Sequence, residues 1–302
     1  MSIFDKLGIV TNIWTKRIDD GDRFEDLARQ FGAHGFKDME VREGDYLRNS
    51  EFGGLIGEIE TAMGRYTDEQ WKAICDAIWK GGQDPAVTAE DGALFERVSA
   101  FVELARDLKL SYAMSHSWLG TPENLEADTQ QIIQAKKLAY LLCPADARLR
   151  IVGLAPMGGK TDPQAAVANV KRYRSLLPNC PMVFAVENSR QPATFTLDLA
   201  VQGGALLTYD EANTYRDDGT TVNPPEEFWS AVRMEDLTSV HFKQKTADGV
   251  LTQVSDGYVD FAAIGKRLAA GGYRGDLLLE NTPTDQPLED AISSRVYLSS
   301  LL

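Results

Sequence analysis

VFAVE (183–187), ALLTYD (205–210), LTSVH (237–241) and DLLLE (276–280) decide the fold of this chain. Each is a short, largely apolar run, and each closes on a residue able to bind a metal: Glu187, Asp210, His241 and Glu280. Runs of this kind, without polar alternation, suit strands of a parallel sheet covered on both faces. A buried carboxylate without a partner is very costly. Three carboxylates and one imidazole at matching positions in four successive units therefore point to one shared partner, a divalent cation.

Working outward, four earlier runs read the same way: LGIVTNIW (7–14), FKDMEV (36–41), SYAMSH (111–116) and RIVGLA (150–155). Helix-period segments separate the strands, which implies βαβ units. Eight such units in 302 residues predict an α/β fold, a closed (β/α)8 TIM barrel, as a single domain over 1–302. Thr67 to Gln70 has capping-box spacing, followed by Trp71, Ile74, Cys75 and Ile78 on one helical face. Asp162-Pro163 and Thr121-Pro122 each place a cap before a proline suited to the first helical turn. Asp260 reads as a further cap, and Gly271-Gly272 as the stop of the same helix. Two stretches exceed a minimal barrel, residues 44–65 after the second strand and 214–225 after the sixth. Both should emerge at the carboxyl end of the barrel, where substrate sites lie, as wall or lid segments.

The formal net charge of −14 disfavours nucleic acid or an anionic membrane as partner. The three cysteines, Cys75, Cys143 and Cys180, are widely spaced and show no disulfide framework. The start, MSIFDKLGIV, lacks the pattern of a secretory leader, and no stretch approaches the apolar length of a membrane span. The expected setting is cytoplasmic and the expected partner a small molecule, with a homo-oligomer or hetero-oligomer left open.

An oxygen-rich set with one imidazole suits Mn2+ first, then Mg2+ or Co2+, and admits Zn2+. At this point the sequence resembles the xylose-isomerase-like TIM barrel superfamily, in its sugar phosphate isomerase/epimerase branch. VENS (186–189), YDEAN (209–213), VHFKQK (240–245) and GYVDFAAIGKRLAAGGYRGDLLLEN (257–281) carry the resemblance. It implies that Glu187, Asp210, His241 and Glu280 hold one catalytic divalent ion. It also implies that Glu187 and Glu280 serve as acid and base on opposite faces of a sugar. The expected activity is a metal-dependent sugar isomerase or epimerase that removes a proton beside a carbonyl through a metal-stabilised enediolate.

The chain departs from the two-metal isomerases of that superfamily. Arg190 stands three residues after Glu187, where they carry a histidine, and Gln244 follows Lys243, where they carry further carboxylates. With only His34, His116 and His241, it also lacks the ligands of a zinc-cluster nuclease. His116 ends the third strand, either as a structural histidine or as a base. As a base it would open a rival chemistry: a metal-dependent lyase or hydratase, or cleavage of a carbon-glycoside, on a keto sugar. A catalytically silent sugar-binding barrel is the third reading. Lys243 should point inward and touch a substrate oxygen, and Arg190 could supply a fixed charge. Glu40 could meet sugar hydroxyls or a surface ion pair. Trp14 and Trp118 could each stack on a sugar ring or fill the core. His34, before the second strand, reads as structural.

Overall fold

The computed structural model describes residues 3–42, 51–80, 86–114, 137–138, 140–141, 148–151, 162–175, 183–189 and 191–302. Eight parallel strands close into a barrel: β1 (Gly8–Val10), β2 (Asp38–Arg42), β3 (Lys109–Met114), β4 (Arg148–Ile151), β5 (Val183–Glu187), β6 (Leu206–Asp210), β7 (Leu237–Phe242) and β10 (Asp276–Leu279). They lie in chain order around the barrel, and β10 closes it by pairing with β1 at Gly8↔Leu278 and Ile9↔Leu279. The remaining two strands, β8 (Lys245–Thr246) and β9 (Gly249–Val250), form a small antiparallel hairpin after β7.

The strands expected from sequence are present, with shifted ends. The first is shorter than its apolar run: β1 spans three residues, and Thr11–Trp14 turns into a 3-10 helix. That turn seats Trp14 in the core, edge-on to Phe24 and Phe31 at ring distances of 5.4 and 5.2 Å. Such aromatic contacts add about 0.5–1.5 kcal/mol each beyond the burial of area. Gly8 has a packing reason of its own, because a Cβ there would fall 2.1 Å from the Asp38 carbonyl oxygen on β2.

The helices obey their caps. Thr67 N–H donates to Gln70 Oε1 at 2.9 Å, and Gln70 N–H returns to Thr67 Oγ1 at 3.3 Å. The helix Asp68–Lys80 that follows buries Trp71, Ile74, Cys75 and Ile78. Asp162 accepts from Gln164 N–H ahead of helix Pro163–Ser175, and Asp260 accepts from Ala263 N–H at the head of helix Phe261–Ala270. Gly272 supplies the left-handed conformation, φ 64°, that ends this last helix. Within the expected wall segment 44–65, residues Glu51–Met63 form a helix that buries Leu55 and Ile59 and packs on helix Gly92–Ala105. After β6, Ala212–Thr214 makes a 3-10 turn, Tyr215 bridges Thr221, and helix Pro225–Ala231 follows. The cap proposed at Thr121-Pro122 lies outside the described residues. No helix among the described residues is long and apolar enough to cross a membrane.

Candidate active site

Strand topology brings the four strand-end residues together. Glu187 ends β5, Asp210 ends β6, His241 is the penultimate residue of β7, and Glu280 directly follows β10. These four strands are consecutive neighbours in the barrel, and Asp210 pairs in register with His241. One ligand atom from each of the four residues lies within 4.8 Å of the others, and all four are buried. His241 Nδ1 is 2.9 Å from Glu280 Oε2 and 3.4 Å from Glu187 Oε1.

Two cationic side chains enter the cluster. Lys243, two residues beyond His241 on β7's exit, places Nζ 2.6 Å from Asp210 Oδ2 and 3.0 Å from Glu280 Oε2. Arg42, the last residue of β2, donates to Glu280 Oε1 at 2.7 Å. Burial would raise the Glu280 carboxyl, but Lys243, His241 and Arg42 together hold it well below the usual carboxylate range. Burial dominates at Asp210 and pushes its carboxyl up to about 6, despite Lys243. The Lys243 ammonium is held protonated: burial opposes its charge, and Asp210, Glu280 and Glu187 outweigh that penalty.

The donor set fits a divalent cation. Among the described residues, and with a neutral imidazole, Glu40, Glu187, Asp210 and Glu280 exceed Lys243 and Arg42 by two formal negative charges, and all four carboxylates are buried. One divalent ion neutralises that excess, and the cluster presents oxygen and imidazole ligands of the type such ions take. The residues that would hold it are Glu187, Asp210, His241 and Glu280.

A scaffold of amides fixes these side chains. Asn188 is fully buried and pairs with both backbone groups of Asp210, accepting from its N–H at 2.8 Å and donating to its carbonyl at 2.7 Å. Asn213 donates to the Asn188 carbonyl at 3.0 Å and to Glu187 Oε1 at 3.4 Å. Gln244 organises the loop beyond Lys243. Its oxygen accepts from Lys245 and Val259 N–H, and its amide nitrogen donates to the Ser255 and Val259 carbonyls. Gly257 approaches Gln244 so closely that a Cβ would lie 2.5 Å from the amide carbon. From sequence, Gln244 reads only as a departure from a family pattern, and Asn188 and Asn213 carry no role of their own. The one local signal was an amide directly after a strand-end ligand.

Beside the ligands opens a cavity of about 300 Å³ lined by Ser189, Ala212, Asn213, Tyr215, Lys243, Lys245 and Val250. Lys245 is held at its wall by the Tyr215 carbonyl at 3.0 Å and by Asp217 at 2.9 Å. Tyr215 stacks on Tyr258, ring centres 5.7 Å apart, which ties the loop after β6 to the loop after β7.

The other expected site residues divide three ways. Lys243 points inward as expected. Glu40 meets His241 rather than the protein surface, with Oε2 3.3 Å from its Nε2. Trp14 is wholly buried between Phe24 and Phe31, so its faces serve packing and not a sugar ring. His116, Trp118 and Arg190 lie outside the described residues. His34 is on the surface at the end of helix Phe24–Ala33, its Nδ1 2.9 Å from the Gln30 carbonyl, in keeping with a structural role.

The sequence matches no protein-family model and no curated protein. Solved structures do match it along its whole length. A xylose isomerase domain containing protein from Salmonella typhimurium LT2 is 15% identical, with all of this chain and 96% of that one aligned and a TM-score of 0.58. D-psicose 3-epimerase from Clostridium cellulolyticum H10, solved with D-tagatose, is 13% identical over 98% of this chain and 96% of its own, at a TM-score of 0.57. A sugar phosphate isomerase/epimerase from Parabacteroides distasonis is 13% identical over 97% and 93%, at 0.61. At these identities the likeness is one of fold, and the shared fold is the (β/α)8 barrel.

Proposed function

We propose that this protein is a divalent-metal-dependent sugar isomerase or epimerase. The buried Glu187–Asp210–His241–Glu280 group carries this reading, because two of its carboxylates can move protons as well as bind a cation. The named activities of similarly folded proteins, D-psicose 3-epimerase and sugar phosphate isomerase/epimerase among them, support it. A bound divalent ion would act as a Lewis acid toward a sugar carbonyl and its neighbouring hydroxyl, acidifying the C–H between them.

The chain's own groups supply the rest. Glu187 and Glu280 belong to the two outer strands of the four-strand group, with β6 and β7 between them. They can therefore approach a sugar from two sides. One carboxylate takes the proton from the carbon beside the carbonyl and becomes a carboxylic acid. The other returns a proton, to the opposite face of the same carbon in epimerisation or to the neighbouring carbon in isomerisation. Glu280, held ionised by Lys243, His241 and Arg42, starts without a proton and can accept one. Lys243, whose Nζ lies 3.0 Å from Glu280 Oε2, would set its positive charge against the oxygen that gains negative charge. The cavity, at the lower end of the range for ligand pockets, suits a single sugar.

The test is exchange. Candidate ketoses and aldoses are incubated in D2O with the Mn2+-loaded protein. Deuterium should enter recovered sugar at the reacting carbon, and Glu280→Gln should slow entry by at least about 100-fold, the lower range for loss of a general base. Release of water or an aglycone without exchange into intact sugar would move the assignment to lyase chemistry.

A further inference from the structure

β2 contributes none of the four ligands, yet two of its side chains reach them. Glu40 and Arg42 are two residues apart on the strand, so they project to the same side. Arg42 donates to Glu280 Oε1 at 2.7 Å. Glu40, one step deeper, brings Oε2 to 3.3 Å from His241 Nε2, with both residues almost fully buried. The imidazole is thus gripped at both nitrogens: Nδ1 faces the carboxylates of Glu280 and Glu187, and Nε2 faces that of Glu40.

A neutral imidazole carries one N–H and one bare nitrogen, and the hydrogen bond made by one nitrogen selects the state of the other. For Nδ1 to bind a cation shared with Glu187 and Glu280 it must offer its lone pair, which puts the proton of the neutral ring on Nε2, where the Glu40 carboxylate can accept it. We infer that Glu40 is a positioning residue: it accepts the Nε2 proton of His241, fixes the ring orientation and tautomer, and so prepares Nδ1 to bind the divalent cation. Glu40 then does its work through the metal ligand and not through sugar hydroxyls. This inference rests on the metal-site reading above. It adds a residue from a strand outside the ligand group and states which ring nitrogen faces the ion.

The test measures binding, not turnover. The full-length chain, stripped with chelator, is titrated with Mn2+ by calorimetry. Glu40→Leu, which cannot accept the proton, should weaken Mn2+ by about 10- to 100-fold, the usual cost of losing a ligand's orienting partner. Glu40→Gln keeps an accepting amide oxygen and should lose less. If the wild-type chain binds Mn2+ and Glu40→Leu binds it equally well, the positioning role is overturned while the metal site stands. If the wild-type chain binds none, the metal reading itself fails. Should Glu40→Leu not fold, the wild-type protein answers alone. In ¹⁵N-imidazole spectra of the diamagnetic Zn2+ complex, His241 should carry its proton on Nε2, and a proton on Nδ1 would contradict the proposal. The chain has three histidines, so a His241→Asn spectrum assigns the signal.

Discussion

Asp210 and Glu211 are neighbours in the chain, and both carboxylates are buried, yet they belong to two different regions. Asp210 turns into the mouth of the barrel, among Lys243, Glu187, Glu280 and His241. Glu211 turns the other way, behind β6, where its Oε2 accepts from Tyr209 Oη at 3.0 Å and from Trp229 Nε1 at 3.2 Å. Tyr209 in turn stacks flat on Phe228, with ring centres 3.8 Å apart. The region behind β6 meets the cost of burial with neutral donors and a retained proton: burial, opposed by those two hydrogen bonds, pushes the Glu211 carboxyl up to about 7. The mouth meets the same cost with cations, and its carboxylates outnumber them. Buried acidity alone is therefore no sign of a metal site. Several carboxylates converging on one small space, with an imidazole among them, is.

Removing the mouth's resident cation should break the comparison most strongly. Lys243→Met leaves Asp210 and Glu280 without their shared ammonium, and breaking a buried pair in this way costs about 3–5 kcal/mol. Thermal melts of the chelated variant should fall accordingly, and Mn2+ should restore much of the loss by binding the folded state. A variant that melts like wild type in chelator would show that Lys243 carries no charge balance.

A smaller effect sharpens the other side. Burial lifts the Glu211 carboxyl to about 7 in the folded chain, above its ordinary value of 4.5. Its retained proton stabilises the fold fully below about pH 4.5, and that contribution is lost as pH rises through about 7. At 1.36 kcal/mol per unit, the difference is at most about 3 kcal/mol. Glu211→Gln keeps an acceptor for Tyr209 and Trp229 but cannot ionise. Denaturant melts between pH 4.5 and 8 should show a flatter slope for the variant than for wild type. Equal slopes would mean that Glu211 is ionised in the fold.

Much of this was visible in the chain before its structure. Parallel barrel strands are buried on both faces, so VFAVE and DLLLE announce themselves by apolar content, and a carboxylate at the end of each stands out against it. The capping box at Thr67 and Gln70 is equally local and is present as expected. What escaped was long-range. The contact between Glu40 and His241 joins positions 201 residues apart, and only barrel closure brings them together. From sequence Trp14 stood between stacking on a sugar and filling the core, because a strand over 7–14 would carry it to the mouth. The turn at Thr11–Trp14 buries it instead. The job of Asn188 depends on strand register, since it spans from β5's exit to Asp210 on β6, and register is not written in spacing alone.

The central claim is that four strand-end residues form one divalent-cation site. Titration of the chelated, full-length protein with Mn2+, followed by the free-ion EPR signal, tests it most directly. One ion should bind per chain, and Asp210→Ala, which removes a ligand, should lose that binding while remaining folded by circular dichroism. Failure of the wild-type chain to take up Mn2+, Mg2+, Co2+ or Zn2+, or equal uptake by Asp210→Ala, would contradict the account.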